Sequence, residues 1–130
     1  MRFLLDTCTV LWWCFDSARI PAAVRDRIER HENDVYVSVI SPWEISIKEK
    51  LDRFAEFPAN LGQRLRGEIA SHQFADLGIT WPHALRAGSL SLHHHDPFDR
   101  MLVAQAQLEG LALVSPDPAF RPYEVETFWA

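Results

Sequence analysis

Apolar positions along the chain alternate between short continuous runs and stretches with helical spacing. Residues 3–5 (FLL) form a brief run closed by Asp6, and residues 35–40 (VYVSVI) are rich in β-branched side chains between Asn33-Asp34 and Ser41-Pro42. Residues 111–114 (LALV) are a third run, ended by Ser115-Pro116. Short apolar runs bounded by turn residues predict buried strands; weaker strand candidates lie at 74–79 and 123–127. The segments between them read as helices. Trp43, Ile47, Leu51 and Phe54 predict one over 42–54, and Phe98, Met101, Leu102 and Leu108 predict another over 97–109, stopped by Gly110. Leu61, Leu65 and Ile69 after Asn60 suggest a third, softened by Gly62 and Gly67, and Pro21 opens a shorter one carrying Val24 and Ile28. Alternating strands and helices favour right-handed crossovers and a parallel sheet covered on both faces. The expected fold is α/β, a three-layer α/β/α sandwich with a mainly parallel central sheet, built by residues 1–130 as a single domain.

Composition narrows the classes. At 130 residues, 48% hydrophobic and 24% charged, the chain has the make-up of a globular protein, which excludes a disordered or collagen-like one. A chain of this mass buries roughly two-thirds of its unfolded surface, enough for a core without staples. The apolar runs are too short to span a bilayer, and Asp6 interrupts the continuity a signal peptide needs, so the expectation is a cytoplasmic protein without a membrane partner. Cys8 and Cys14 are too close to close a long loop and read as core thiols. Thirteen basic against eighteen acidic residues, a formal charge of −5, argue against a surface coated for duplex binding. Acids gathered on divalent cations would leave the remaining surface near neutral, with room for local contacts to phosphate.

The positions of the acids carry the chemistry. Open parallel sheets bind ligands beyond the carboxyl ends of their strands. Asp6 directly follows the first strand, Glu44 lies four residues beyond Ile40, Asp117 three beyond Val114, and Asp99 opens the helix leading to that strand. Each also has a structural explanation. Ser41-Pro42-Trp43-Glu44 spells a capping box with Ser41 as N-cap and Glu44 reaching back, and Asp96-Pro97-Phe98-Asp99 repeats the layout with carboxylates. Asp6 suits a helix cap and Asp117 a turn. Capping does not require the acids to share one edge of the sheet. Converging carboxylates repel unless a cation favours their ionised forms. An all-oxygen set points to Mg²⁺, with Mn²⁺ as the alternative, rather than zinc. Such ions suit phosphodiester hydrolysis, activating water and neutralising the leaving oxygen.

The segments LLDTCTVLWW (4–13), SVISPWEISIKEKL (38–51) and HHHDPFDRMLVAQAQLEGLALVSPDPAF (93–120) resemble PIN-domain proteins, specifically the VapC-like toxins of bacterial type II toxin–antitoxin pairs. The resemblance implies a PIN-like fold and a metal-dependent endoribonuclease whose catalytic, metal-holding acids are Asp6, Glu44, Asp99 and Asp117. Asp96 is an extra acid typical of the DPFD subgroup, either a fifth ligand or a neighbour of the ligands. It also implies an RNA substrate, a small cognate antitoxin laid over the acidic groove, and a homodimer. Two features depart from the pattern: Cys8 stands where many relatives carry Asn or His, and Pro116 precedes the fourth acid. Residues 55–92 hold no motif to carry over.

Other residues have competing readings. Lys48, four residues after Glu44, either neutralises phosphate and orients Glu44 or forms an ordinary helical ion pair. Thr7 and Ser115 carry hydroxyls beside the acids, for metal-bound water or for turns. His93, His94 and His95 are consecutive, so their side chains diverge and suit a loop better than a shared ion. Trp12, Trp13 and Trp43 flank the acids and offer base stacking or core packing. Arg25, Arg27 and Arg30 alternate with acids as a solvated face. The alternatives to a nuclease are an aspartyl-phosphate phosphatase, which lacks its second acid because position 8 is Cys8, and a catalytically silent PIN-fold regulatory or RNA-binding module.

Overall fold

In the computed structural model, which describes residues 1–91 and 96–129, each of the three apolar runs contains a strand. They are β1 (Arg2–Leu5), β2 (Asp34–Ser38) and β4 (Ala112–Val114), joined by β3 (Ala75–Leu77) and β5 (Thr127–Phe128) in the order β3-β2-β1-β4-β5. All the pairings are parallel, with Leu4 of β1 beside Tyr36 of β2 and Leu113 of β4. Successive side chains point to opposite faces of a sheet, and both faces here are apolar. Phe3, Leu5, Val35, Val37, Ala112 and Val114 pack on one side. Leu4 and Leu113 pack on the other, with Tyr36 partly buried against them.

Helices cover both faces. Residues of α1 (Thr7–Phe15), α2 (Ala22–Glu29) and α4 (Leu61–Ser71) join the first layer, together with Ile45 of α3 (Ile40–Lys50). Leu102, Val103 and Ala106 of α6 (Pro97–Glu109) form the second, with Ile40 from the start of α3. The helix α5 (Trp81–Ser89) lies along α6. The fold is therefore the expected α/β/α sandwich. Gly110 ends α6 in the left-handed conformation, at φ 66°, which a residue lacking Cβ adopts at least cost. A Cβ on Gly62 would stand 3.1 Å from Ser46 Oγ, so the glycine that weakens α4 as a sequence element lets it approach α3 closely.

Some boundaries differ from the sequence reading. The second strand stops at Ser38 instead of running to Ile40, and the last lies at Thr127–Phe128 rather than 123–127. The helix expected over 42–54 spans Ile40–Lys50, so Ser41 is not its N-cap. Val39 is the N-cap and has no side-chain cap bond, and Ser38 just before it accepts the N–H of Ile40 at 3.1 Å. Ile40 turns into the core, and Pro42 falls in the first turn, where an N–H has no helical partner to lose.

The element α5 is absent from the sequence reading because its apolar pattern points the wrong way. Trp81 and Leu85 are 82% and 67% exposed, while His83 and Ala87 face inward. Thr80 and His83 form a reciprocal capping box: Thr80 Oγ1 accepts the N–H of His83, and His83 Nδ1 accepts the N–H of Thr80. With Nδ1 accepting, the ring proton sits on Nε2, 3.2 Å from Glu109 Oε1. This ties the start of α5 to the end of α6.

Candidate active site

The carboxyl ends of β1, β2 and β4 open on one edge of the sheet, and the acids gather there in two groups. The first is built on Asp6. Its backbone N–H continues the sheet to Val114, while its side chain caps α1 by accepting the N–H of Thr9 at 2.8 Å. The other carboxyl oxygen accepts the hydroxyl of Ser115. Ser115 Oγ in turn accepts the N–H of Asp117, whose own carboxylate caps a short 3₁₀ turn over Pro118–Phe120. Asp6 is buried, Asp117 exposed. Burial pushes the Asp6 carboxyl above its ordinary range; its hydrogen bonds act in the opposite direction, and the charge of Asp117 adds to the rise.

The second group is built on Glu44, which is 4% exposed. With the helix starting at Ile40, Glu44 is not reaching back to an N-cap, and the capping explanation fails for it. One carboxyl oxygen accepts the hydroxyl of Thr7 at 2.7 Å, and that hydroxyl lies 2.9 Å from Ser41 Oγ. The other accepts the ammonium of Lys48. Lys48 Nζ also lies 3.9 Å from Asp96 Oδ2. Asp96 is the N-cap of α6, accepting the N–H groups of Phe98 and Asp99. Partial burial works against the charged form of Lys48. The hydrogen bond and charge of Glu44, with Asp96 and Asp99 behind them, outweigh it and hold the ammonium above the usual lysine range.

Cys8 lies between the groups. Contrary to the core-thiol reading it is exposed, because α1 turns this residue outward beside the acids. Desolvation against the site floor, followed by the charges of Asp6 and Glu44, pushes its thiol up to about 12, so it stays protonated. Among the tryptophans, Trp13 belongs to the core and Trp43 is 59% exposed beside Glu44, edge-to-face on Phe98 at 5.3 Å. His93, His94 and His95 lie outside the described residues.

One supporting residue is absent from the sequence reading. Arg100 is buried, and its guanidinium donates to the carbonyls of Ala87, Gly88 and Leu90 at 2.9–3.2 Å and of Ser91 at 3.4 Å. It thereby caps the end of α5 from the first turns of α6, fixing the helix that begins with Asp96 and Asp99. An arginine directly after Asp99 and just ahead of the apolar stretch of α6 is the available signal.

The donor set is all oxygen, and Asp6 is a buried carboxylate whose described partners are neutral hydroxyl and backbone groups. A hard divalent cation fits that need. As they stand, no three His, Cys, Asp or Glu side chains among the described residues are close enough to hold one metal ion. Ser115 donates to one oxygen of Asp6 and Lys48 to one of Glu44, and the opposite oxygens accept the Thr9 N–H and the Thr7 hydroxyl.

A PIN-domain family model matches residues 3–125. The chain belongs to the PIN-domain family. Solved structures agree in fold: VapBC2 from Rickettsia felis bound to a promoter DNA fragment (TM-score 0.72, 12% identity, all of both chains) and VapBC-1 from nontypeable Haemophilus influenzae (0.69, 16%, 98% of this chain and 97% of that one). FitAcB from Neisseria gonorrhoeae is similar at TM-score 0.62 and 20% identity, over 98% of this PIN domain and 96% of that chain. No curated protein sequence matches significantly. No helix among the described residues is long and apolar enough to cross a membrane.

Proposed function

We propose that this PIN domain is a divalent-metal-dependent endoribonuclease and the toxin of a toxin–antitoxin pair. The observation that carries the reading is Glu44: a buried carboxylate with no capping duty, facing the same sheet edge as Asp6 and Asp117. When bound, Mg²⁺ or Mn²⁺ supplies a water of lowered pKa and neutralises charge on the phosphoryl oxygens. Asp6, Glu44, Asp99 and Asp117 would hold it, with Asp96 beside them. Thr7 fixes one oxygen of Glu44, and Ser115 fixes one of Asp6 while orienting the loop of Asp117. In this reading water rather than a side chain or the RNA 2′-hydroxyl attacks phosphorus and the 3′-oxygen leaves with a proton, so hydrolysis leaves a 5′-phosphate and a 3′-hydroxyl.

The toxin role follows from the company of the fold, since the similar structures include VapBC toxin–antitoxin complexes. The partner in this reading is a small antitoxin that lays a basic or aromatic side chain into the acidic groove, where opposite charge favours it. The protein acts as a homodimer in the cytoplasm, where its RNA lies. The test is incubation of the chelator-stripped protein with RNA, with and without Mg²⁺ or Mn²⁺, followed by sequencing of the RNA ends. Metal-dependent cuts bearing 5′-phosphates are expected. Metal-independent cutting, or RNA binding without any cut, refutes the reading, and the latter result is that of a silent RNA-binding module.

Metal binding has a pH signature. The Asp6 carboxyl is raised in the folded state, so between its unfolded value of 3.8 and its folded value the native protein holds a proton that the unfolded chain has lost. Stability from this group is therefore present in acid and lost as pH rises through the folded value. A cation reverses the effect by competing with that proton. Mg²⁺ or Mn²⁺ at a hundredfold excess over Kd adds about 2.7 kcal/mol at neutral pH, several degrees of melting temperature. The gain shrinks on acidification and is lost in Asp99→Asn. Thermal melts across pH check it; a pH-independent gain refutes a carboxylate site.

A further inference from the structure

The two groups of acids are neutralised in different ways. Around Asp6 and Asp117 the hydrogen-bond partners among the described residues are Ser115, Thr9 and Ala119, none of which brings positive charge. Around Glu44 a positive charge is built in. Lys48 comes one helical turn after Glu44 on α3, donates to Glu44 Oε2, stands 3.9 Å from Asp96 Oδ2 and feels the charge of Asp99. Its side chain is only 23% exposed, with Nζ 5.9 Å from the centre of the Phe98 ring. Glu44 cannot swing away to free it, because Thr7 pins the other oxygen and Ser41 backs Thr7. A surface ion pair is loose and worth little; this one is held from both sides within the site.

We propose that Lys48 is the resident cation of the Glu44–Asp96 half of the site, standing where a second divalent ion would otherwise bind. The inference rests on the nuclease reading above. The enzyme then takes a single ion, held by Asp6, Asp99 and Asp117 with Glu44 reaching it only through Oε1, and uses the ammonium to hold a phosphate oxygen of the RNA. Like charges exclude each other: an ion ligated by Glu44 Oε2 would have to displace the ammonium, whereas an ion on Asp6 meets no fixed cation among its hydrogen-bond partners in the described residues. The ammonium has three donors, of which Glu44 uses one, so it can face a phosphate while remaining paired.

The full chain, stripped with chelator, is titrated with Mn²⁺ at neutral pH, and free ion is counted by electron paramagnetic resonance. Wild type and Lys48→Arg take one ion per chain, and Lys48→Gln takes a second. Two ions on the wild type overturn the proposal without any variant, so a misfolded Lys48→Gln does not shelter it; a single ion on folded Lys48→Gln overturns it too. Binding of single-stranded RNA in chelator weakens about tenfold in Lys48→Gln, the loss of one charge-assisted hydrogen bond, and is retained in Lys48→Arg. Unchanged RNA binding in Lys48→Gln overturns the phosphate contact. A wild type that takes one ion and binds RNA without cutting it sinks the nuclease reading but supports the lysine assignment. A wild type that cuts RNA with two ions does the reverse.

Discussion

Asp6→Asn and Asp99→Asn each lower RNA cleavage by about a thousandfold or more, roughly 4 kcal/mol of transition-state stabilisation, in a protein that still folds. The amide keeps the size of the carboxylate but not the charge that holds a cation. For Asp6 the structure makes the separation of activity from stability sharp. Asn at an N-cap is as good an acceptor as Asp, so the bond from the Thr9 N–H survives, and the amide N–H turns toward Ser115 Oγ. Removing a carboxylate that burial already disfavours leaves the metal-free protein at neutral pH as stable as wild type or more so. Cleavage assays beside metal-free melts check both halves. Normal cleavage by both variants refutes the assignment, and unfolding of either would make capping its main role.

Arg100→Met destabilises the fold by about 3 kcal/mol, because it strips the hydrogen bonds of a buried guanidinium from several carbonyls at the end of α5. Methionine preserves most of the length and apolar stem, so the loss reports the guanidinium rather than a cavity. The end of α5 also carries partial negative charge, which Arg100 answers from within α6. Denaturant unfolding measures the loss. A change below about 1 kcal/mol would mean that these carbonyls are as well served by water. The variant tests whether the acids depend on α5 as well: if Asp96 and Asp99 are positioned by this bond, metal affinity falls along with stability.

What was legible in the sequence depended on whether local pattern and burial agree. In β1, β2 and β4 every apolar residue is used, because a sheet covered on both faces buries consecutive side chains. At the ends of α6 local pattern and structure also agree, since Pro97 opens the helix behind the Asp96 cap and Gly110 closes it in a conformation suited to glycine. In α5 they disagree, since the buried positions are held by His83 and Ala87 while Trp81 and Leu85 face outward. In α3 the capping box is a coincidence of spelling. Ser41 has the chemistry of a cap, but burial of Ile40 starts the helix earlier and turns Ser41 into a partner of Thr7.

By itself the sequence determined the layer architecture, the family resemblance and the acids that fall just beyond strand ends, because periodicity and parallel topology are local and directional constraints. Only the tertiary structure decided what each acid does when the chain is closed. Asp6, Asp96 and Asp117 cap helices or turns as their local sequence suggests, whereas Glu44 is released from that duty and joined to Thr7 and Lys48. Those bonds connect residues from different elements, so their formation depends on how far α3 starts before Pro42 and how closely α1 packs beside it. Burial also sets charge: a carboxyl is raised by desolvation only once the chain surrounds it, and no spacing of residues along a sequence carries that information.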